Sequence, residues 1–305
     1  LLRNYVDLFF ADTAVGEYLS RRTAELGIMR RPATKAIRKI ITDAPVDVGT
    51  RWGLEDTTYV IIEKVTDTDY KAECEQLGSI GNAYSGTLDN IDNISGVTAE
   101  LTDILIPGED EETDESLRKR YFESLVSQAY GGNIADYKQK VTALPGVGGV
   151  KVEPIWNGGG TVKLTIIDSD YNKPSPTLID EVQTAVDPVL NQGEGYGIAP
   201  IGHVVTVVGV EEIEIDVEPQ ITLQTGYTWD DVKPTVEAAI NEYFAELRSQ
   251  WADSQTLVVR ISQIEVRILA ITGIVDVQNT KLNGQQQNIE LGPYEIPALG
   301  EVMPA

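Results

Sequence analysis

One cysteine, one histidine, two methionines and four phenylalanines are all that these 305 residues hold of those types. A lone Cys74 excludes a disulfide framework and a thiolate metal site. A lone His203 removes most ways of building a nucleophile with its base. Basic side chains are scarce as well: 24 Lys plus Arg stand against 48 Asp plus Glu, a net charge of −24. So acidic a surface repels phosphate backbones and anionic headgroups, which argues against nucleic acid and membrane as partners. No run nears the roughly 18 apolar residues that a membrane-spanning helix needs. The opening LLRNYVDLFF lacks the basic region and cleavage site of a secretion signal, and it lacks an initiator Met. The expectation is that an amino-terminal portion precedes it.

What is present is a chain that changes period several times. Residues 12–27 read as a helix capped by Asp12 or Thr13 and ended by Gly27. From Ala36 onward AIRKIIT, TTYVIIEKV, YKAECEQL and VTAELTDILI alternate with period two, with Gly78, Gly81 and Gly86 at turns or close approaches. SPTLIDEVQTAV predicts a helix with Ser175 as N-cap and Pro176 at its first position. Val232, Val236, Ala239, Ile240, Tyr243 and Leu247 mark the buried stripe of a longer helix. The fold class is therefore α+β and multi-domain, a β-rich block followed by two small duplicated modules, each a helix on a short sheet. The expected division is 1–34 (helical segment), 35–107 (β-rich domain), 108–222 (acid-capped helix plus first module) and 223–305 (second module).

The duplication rests on register. NIADYKQKVTALPGVGGVKV (133–152) aligns without gaps on RISQIEVRILAITGIVDVQN (260–279), an offset of 127 residues that matches Gly146 to Gly273. Val162–Leu164 then meets Ile289–Leu291, and Asn157-Gly158 and Asn283-Gly284 precede those strands as turn signals. Each copy is expected to form helix, break at Gly, strand, hairpin turn and second strand.

Chemistry is harder to find. His203 before a β-branched run reads as a strand-edge histidine, and Cys74 as a small buried side chain. The acidic runs lack the spacing of a calcium loop. Residues 192–200 (QGEGYGIAP) follow a helix and lack the Lys-Ser/Thr of a phosphate loop, so they read as a flexible connector. The expectation is no catalytic, cofactor-binding or metal site.

Residues 107–132, PGEDEETDESLRKRYFESLVSQAYGG, stand apart. Glu109, Asp110, Glu111, Glu112 and Asp114 lead into a helix with Thr113 as its N-cap, and acids in a first turn suit the helix dipole. Leu117, Tyr121 and Leu125 form its apolar stripe, and Gly131-Gly132 ends it. This block resembles the signature of the baseplate J-like proteins. So do GEYLSRRTAELGIMRRPATKA (16–36), the segment 132–152 with its Leu-Pro-Gly-Val break, VRISQIEVRILAITGIVDV (259–277) and YEIPALGEV (294–302). The resemblance implies a structural wedge component of a contractile tail (phage, defective prophage or tail-like bacteriocin) linking the central hub to the sheath and outer baseplate. It also implies a six-fold arrangement with a second copy, a smaller wedge tail protein and a sheath initiator of lysozyme-like fold. The place implied is the tail baseplate of a virion or tailocin particle assembled in the bacterial cytoplasm. Candidate partner contacts are the five acids, as a negative patch, and Ile274, Val277, Ile289 and Leu291, as an open sheet edge. A tail-associated peptidoglycan hydrolase and a receptor-binding adhesin are the alternatives.

Overall fold

In a computed structural model, described here for residues 8–126 and 131–304, six antiparallel strands close into a barrel. They are β1 (Ile37–Thr42), β2 (Arg51–Leu54), β3 (Thr57–Lys64), β4 (Asp69–Cys74), β5 (Gly86–Asn90) and β6 (Ala99–Ile106), in the order β1-β4-β3-β2-β5-β6. Alternation puts Ile40, Trp52, Tyr59, Ile61, Tyr70, Ala72 and Cys74 inside. Arg38 is buried with them. Its guanidinium donates to the carbonyls of Gly81 (2.8 Å), Thr102 (2.8 Å) and Asp103 (3.3 Å) and to Ser85 Oγ (2.9 Å), so the buried charge is held by neutral oxygens. Gly81 is required there, since a Cβ would lie 2.7 Å from that of Ala36.

Ahead of the barrel, α1 (Gly16–Ala24) packs Leu19 against Leu117 and Tyr121 of α2 (Asp114–Val126). The expected caps Asp12 and Thr13 are not used. Val15 is the N-cap residue, and the first helical amide, Gly16, donates across to Asp114 at 2.9 Å. The end at Gly27 holds, with φ of +76°. In α2 the stripe stops short: Leu125 is exposed. The stretch from 127 to 130, ahead of the expected stop at Gly131-Gly132, lies outside the described residues.

Two three-stranded sheets follow. Helix α3 (Ile134–Val141) leads through Gly146, φ +79°, into β7 (Val147–Pro154). β7 pairs antiparallel with β8 (Thr161–Asp168), and after α4 (Pro176–Val186) the strand β9 (Val204–Gly209) adds parallel to β8. Ser175 caps α4 as read, accepting from Leu178 N at 3.1 Å. The second sheet has β10 (Glu211–Leu223) at its centre, followed in the chain by α5 (Trp229–Ser249), β11 (Val258–Val259) and α6 (Ile261–Leu269). It is completed by β12 (Ile274–Leu282), antiparallel to β10, and β14 (Glu295–Val302), parallel to it, while β13 (Ile289–Glu290) pairs with β11. The α5 stripe Val232, Val236, Ile240, Tyr243 and Leu247 buries into this core.

The repeat keeps its 127-residue offset through helix, glycine and strand, α3–Gly146–β7 matching α6–Gly273–β12. The hairpin does not repeat. In the first copy β7 and β8 pair along their length; in the second, Asn283-Gly284 (φ +47° and +76°) makes a two-residue turn that supports one bridge, Leu282 to Gln285. The place beside β12 is taken by β10, whose Ile215 and Val217 supply two fully buried core positions. Sequence division had placed residues 211–222 with the first module, and strand pairing puts them in the second sheet.

Strand edges are closed in different ways. The barrel has none. β7 packs its Gly149 against Ala252 of the turn Trp251–Asp253. Along β9, Asp187 accepts from Val205 N (2.8 Å), Gln183 accepts from Val207 N (2.8 Å), and the amides of Gln183 and Gln192 donate to Val205 O. β12 is irregular against β10, places Asn279 at φ +49°, and gives the Val277 amide to Asp276.

Candidate functional site

The acidic stretch before α2 is where segments from the whole amino-terminal two thirds meet. Glu109 exchanges hydrogen bonds with Thr34 through its backbone and accepts from Gly146 N at 2.6 Å, reaching the break of the first module. Burial pushes its carboxyl up, against the pull of that N–H and of Arg31. Asp110 accepts from Ser79 N (2.9 Å) and Ser79 Oγ (2.8 Å) beside the barrel, which holds it below the ordinary carboxylate range. Glu112 has a side chain only 4% exposed. It takes Arg120 in a two-pronged pair at 2.7 and 2.6 Å, Ser116 Oγ at 2.9 Å and Arg31 N at 3.2 Å. Burial raises its pKa, but those donors outweigh it and leave the group depressed. Asp114 caps α1 through Gly16 N and takes Arg30, which also reaches the carbonyl of Glu112; the Gly16 amide and Arg30 hold its carboxyl low. Thr113 does cap α2, accepting from Ser116 N at 3.3 Å.

Four of the five acids are therefore engaged in hydrogen bonds within the chain, Asp110 while still exposed, and only Glu111 is exposed without a described partner. The acidic stretch is also a bracket that ties α1, the barrel, α2 and the first module together. The proposed apolar contacts are redistributed as well. Leu291 is buried, and Ile274, Val277 and Ile289 are half-buried against the second module's core. The exposed apolar residue of β12 is Val275.

Chemistry-bearing groups are dispersed. His203 Nδ1 and Tyr137 Oη share a hydrogen bond of 2.8 Å, with the rings stacked at 6.0 Å. Burial and the nearby Asp187 and Asp136 push the Tyr137 phenol up to about 12, so it stays protonated. Cys74 is buried in the barrel, where desolvation raises its thiol. Among the described residues no group of three or more His, Cys, Asp or Glu is placed to hold a metal, and no helix is long and apolar enough to cross a membrane.

The joint between the two modules is more unusual. Lys151 Nζ lies 4.7 Å above the Trp251 ring and donates to Pro293 O at 2.6 Å; desolvation lowers it to about 8. At the end of β8, Asp168 is pushed up to about 7 by burial, with Asp170 adding repulsion, and Arg248 offsetting part of it. A carboxyl raised this way adds stability below the ordinary aspartate pKa and loses it as pH rises through about 7. Asp168→Asn, which keeps an acceptor for Asn172 N (2.7 Å), is expected to stabilise the protein at pH 8 by about 3 kcal/mol and to do little at pH 4. Urea unfolding at the two pH values checks this, and equal effects at both would refute it.

What the sequence reading missed is the apolar surface. Leu190 (96% exposed), Ile201 (82%) and Ile155 (67%) stand out from the connector 187–203 and the β7–β8 turn. The signal was available as Tyr and Ile set among the glycines of QGEGYGIAPIG. The connector is not loose: Asp187, itself buried, accepts from Gly193 N and Val205 N.

Comparison with known proteins gives consistent matches. The family described as Baseplate J-like central domain matches residues 129–209, and that described as Baseplate J-like protein C-terminal domain matches 213–303. The chain is 36% identical over 306 residues to "Phage-like element PBSX protein XkdT" of Bacillus subtilis (strain 168), covering 99% of this chain and 84% of that protein. It is 25% identical over 276 residues to "Baseplate protein gp47" of Escherichia phage Mu, covering 83% of this chain and 72% of that one. A chain of the six-fold symmetrised anti-feeding prophage baseplate aligns at a TM-score of 0.47 and 9% identity, over 92% of this chain and 80% of that one, too loosely to support arguments from shape.

Proposed function

Because this chain belongs to the baseplate J-like family, we propose that it is a structural wedge component of a contractile tail. In this reading it links the central hub to the sheath and outer baseplate during assembly and contraction. The observation that carries the reading is near full-length similarity to a phage-like element protein, together with two family domains in tandem. Its partners are other baseplate proteins: a second copy, a smaller wedge tail protein and a sheath initiator of lysozyme-like fold, in six-fold arrangement. Assembly takes place in the bacterial cytoplasm.

The physical form suits that work. A part that passes load between neighbours has to hold its units in fixed relation, and here the Glu109–Asp114 bracket and the Lys151–Trp251 joint do so at the two junctions. We read the role as non-enzymatic. His203 is engaged with a tyrosine, and Cys74 is sealed in the barrel. Deleting the gene is expected to leave hosts producing no contractile particles, with assembly restored by the wild-type chain and by His203→Ala. Electron microscopy of the lysates reads this directly. Intact contractile tails in the deletion would refute the wedge reading, and cell-wall clearing by the purified protein, lost in His203→Ala, would favour the hydrolase alternative.

A further inference from the structure

At one end of the first module the start of α3, the β7–β8 turn and the connector after α4 converge on a cavity of about 140 Å³. Its walls are Ile134, Val152, Pro154, Ile155 and Val162 with Tyr137 and His203, and among the described residues no charged side chain lines it. The three segments are locked to one another. Val204 N donates to Gly160 O at 2.8 Å, Gly202 N to Gly193 O at 2.8 Å, and Gly132 lies so close to Pro200 that a Cβ would sit 2.4 Å away.

Two features are out of keeping with a plain loop cluster. Ile155 holds φ of +61°, a conformation that is a true outlier for a β-branched residue, and does so with its side chain 67% exposed at the cavity mouth. Strain of this kind persists only where the surroundings fix it: Ile155 N donates to Thr161 O at 2.7 Å. Ile201, 82% exposed, stands two residues from His203, between Pro200, which abuts Gly132, and Gly202, which abuts Gly160. Large apolar groups held rigidly around an open apolar cavity carry little ordering cost when a partner arrives.

We propose that this cavity and its rim form a docking site for one apolar side chain, of leucine or phenyl size, carried on a neutral-to-basic segment of another baseplate protein. The proposal rests on the baseplate reading above. Size sets the anchor, since a dry cavity of about 150 Å³ accepts a benzene-sized group. Charge sets the partner. Among the described residues no charged side chain lines the cavity, and the whole chain carries −24. A second copy would bring the same net charge to the contact, whereas a neutral or basic segment would not. Backbone pairing is unavailable, because side chains already occupy the outer edge of β9. The contact is therefore made by side-chain insertion.

Because Cys74 is fully buried, Ile201→Cys places the sole reactive thiol at the rim. In purified free protein it should react readily with a maleimide–benzophenone reagent. In assembled particles the same thiol should be protected about tenfold or more, the loss of access expected at a well-packed anchor. Photolysis of the Ile201→Cys chain, labelled before assembly, should then join the introduced side chain to a Leu- or Phe-containing peptide of a different baseplate protein, identified by mass spectrometry. The double variant Ile155→Asp/Ile201→Asp should keep its melting temperature and enter particles about tenfold less well. Equal labelling in free and assembled chain, a crosslink to a second copy, or unchanged incorporation of the double variant would each overturn the proposal. A chain that never enters particles defeats the baseplate reading, and the docking site with it.

Discussion

Ending the chain after Leu257 is expected to give insoluble or unfolded protein, whereas ending it after Gly209 gives a soluble, cooperatively melting one. A second module confined to 223–305, as the sequence division expects, would predict the opposite for the first cut, since the portion before it would keep its own cores. Strand pairing explains the reversal. β10 has β12 on one side and β14 on the other, so the cut at 257 removes both neighbours and leaves a thirteen-residue strand with no sheet. It also strips Ile264, Ile268, Leu282, Leu291, Ile296 and Val302 from the core beneath α5. Six buried aliphatic side chains contribute about 1.5–3 kcal/mol each, comparable with the whole net stability of a domain, about 5–15 kcal/mol. The soluble fraction and the sharpness of the melt by circular dichroism measure the outcome. A soluble 1–257 fragment with the full helical signal of α5 would show the reasoning to be wrong.

Glu112→Ala is expected to cost about 3 kcal/mol, while Glu111→Ala, one residue away, stays within about 0.5 kcal/mol. Removing the Glu112 carboxylate leaves Arg120 with the Met29 carbonyl but no counter-charge, and Arg31 N without its acceptor, at the crossing of three segments. Arg120 is a quarter exposed, which keeps the figure at the low end for a broken buried pair. The folded-state pKa of Glu112 is depressed, so its contribution is present above the ordinary glutamate pKa and lost as pH falls through the folded value. Wild type and variant should therefore converge in stability at strongly acidic pH. Urea titrations across pH test both parts, and a difference that persists undiminished at low pH would contradict the ion-pair account.

How far the sequence could be read depended on how local each interaction was. Thr113 and Ser175 were legible as caps because each acts on an amide three residues ahead. The α5 stripe was legible because helical spacing alone places it. Barrel closure was not, since it depends on β1 meeting β6 across sixty-odd residues and on β2 and β5, short strands whose glycines hide their period. The bracketing role of the acids was hidden for a related reason. Charge pattern shows the carboxylates but not Arg30, Ser79 or Gly146, which reach them from distant positions in the chain. Nor does any propensity place an isoleucine at φ +61°.

Closure of the strand edges has a consequence for how the protein survives its own synthesis. In the proposed wedge role many copies would be made together, at concentrations where any unpaired strand invites edge-to-edge stacking into fibrous aggregates. Here that hazard is met by Gln183, Asp187 and Gln192 on β9, by the turn at Ala252 against β7 and by the irregular Asn279 on β12. At these three strands a crowding copy meets side chains in place of a free backbone, so recognition there is left to side chains that fit the correct neighbour.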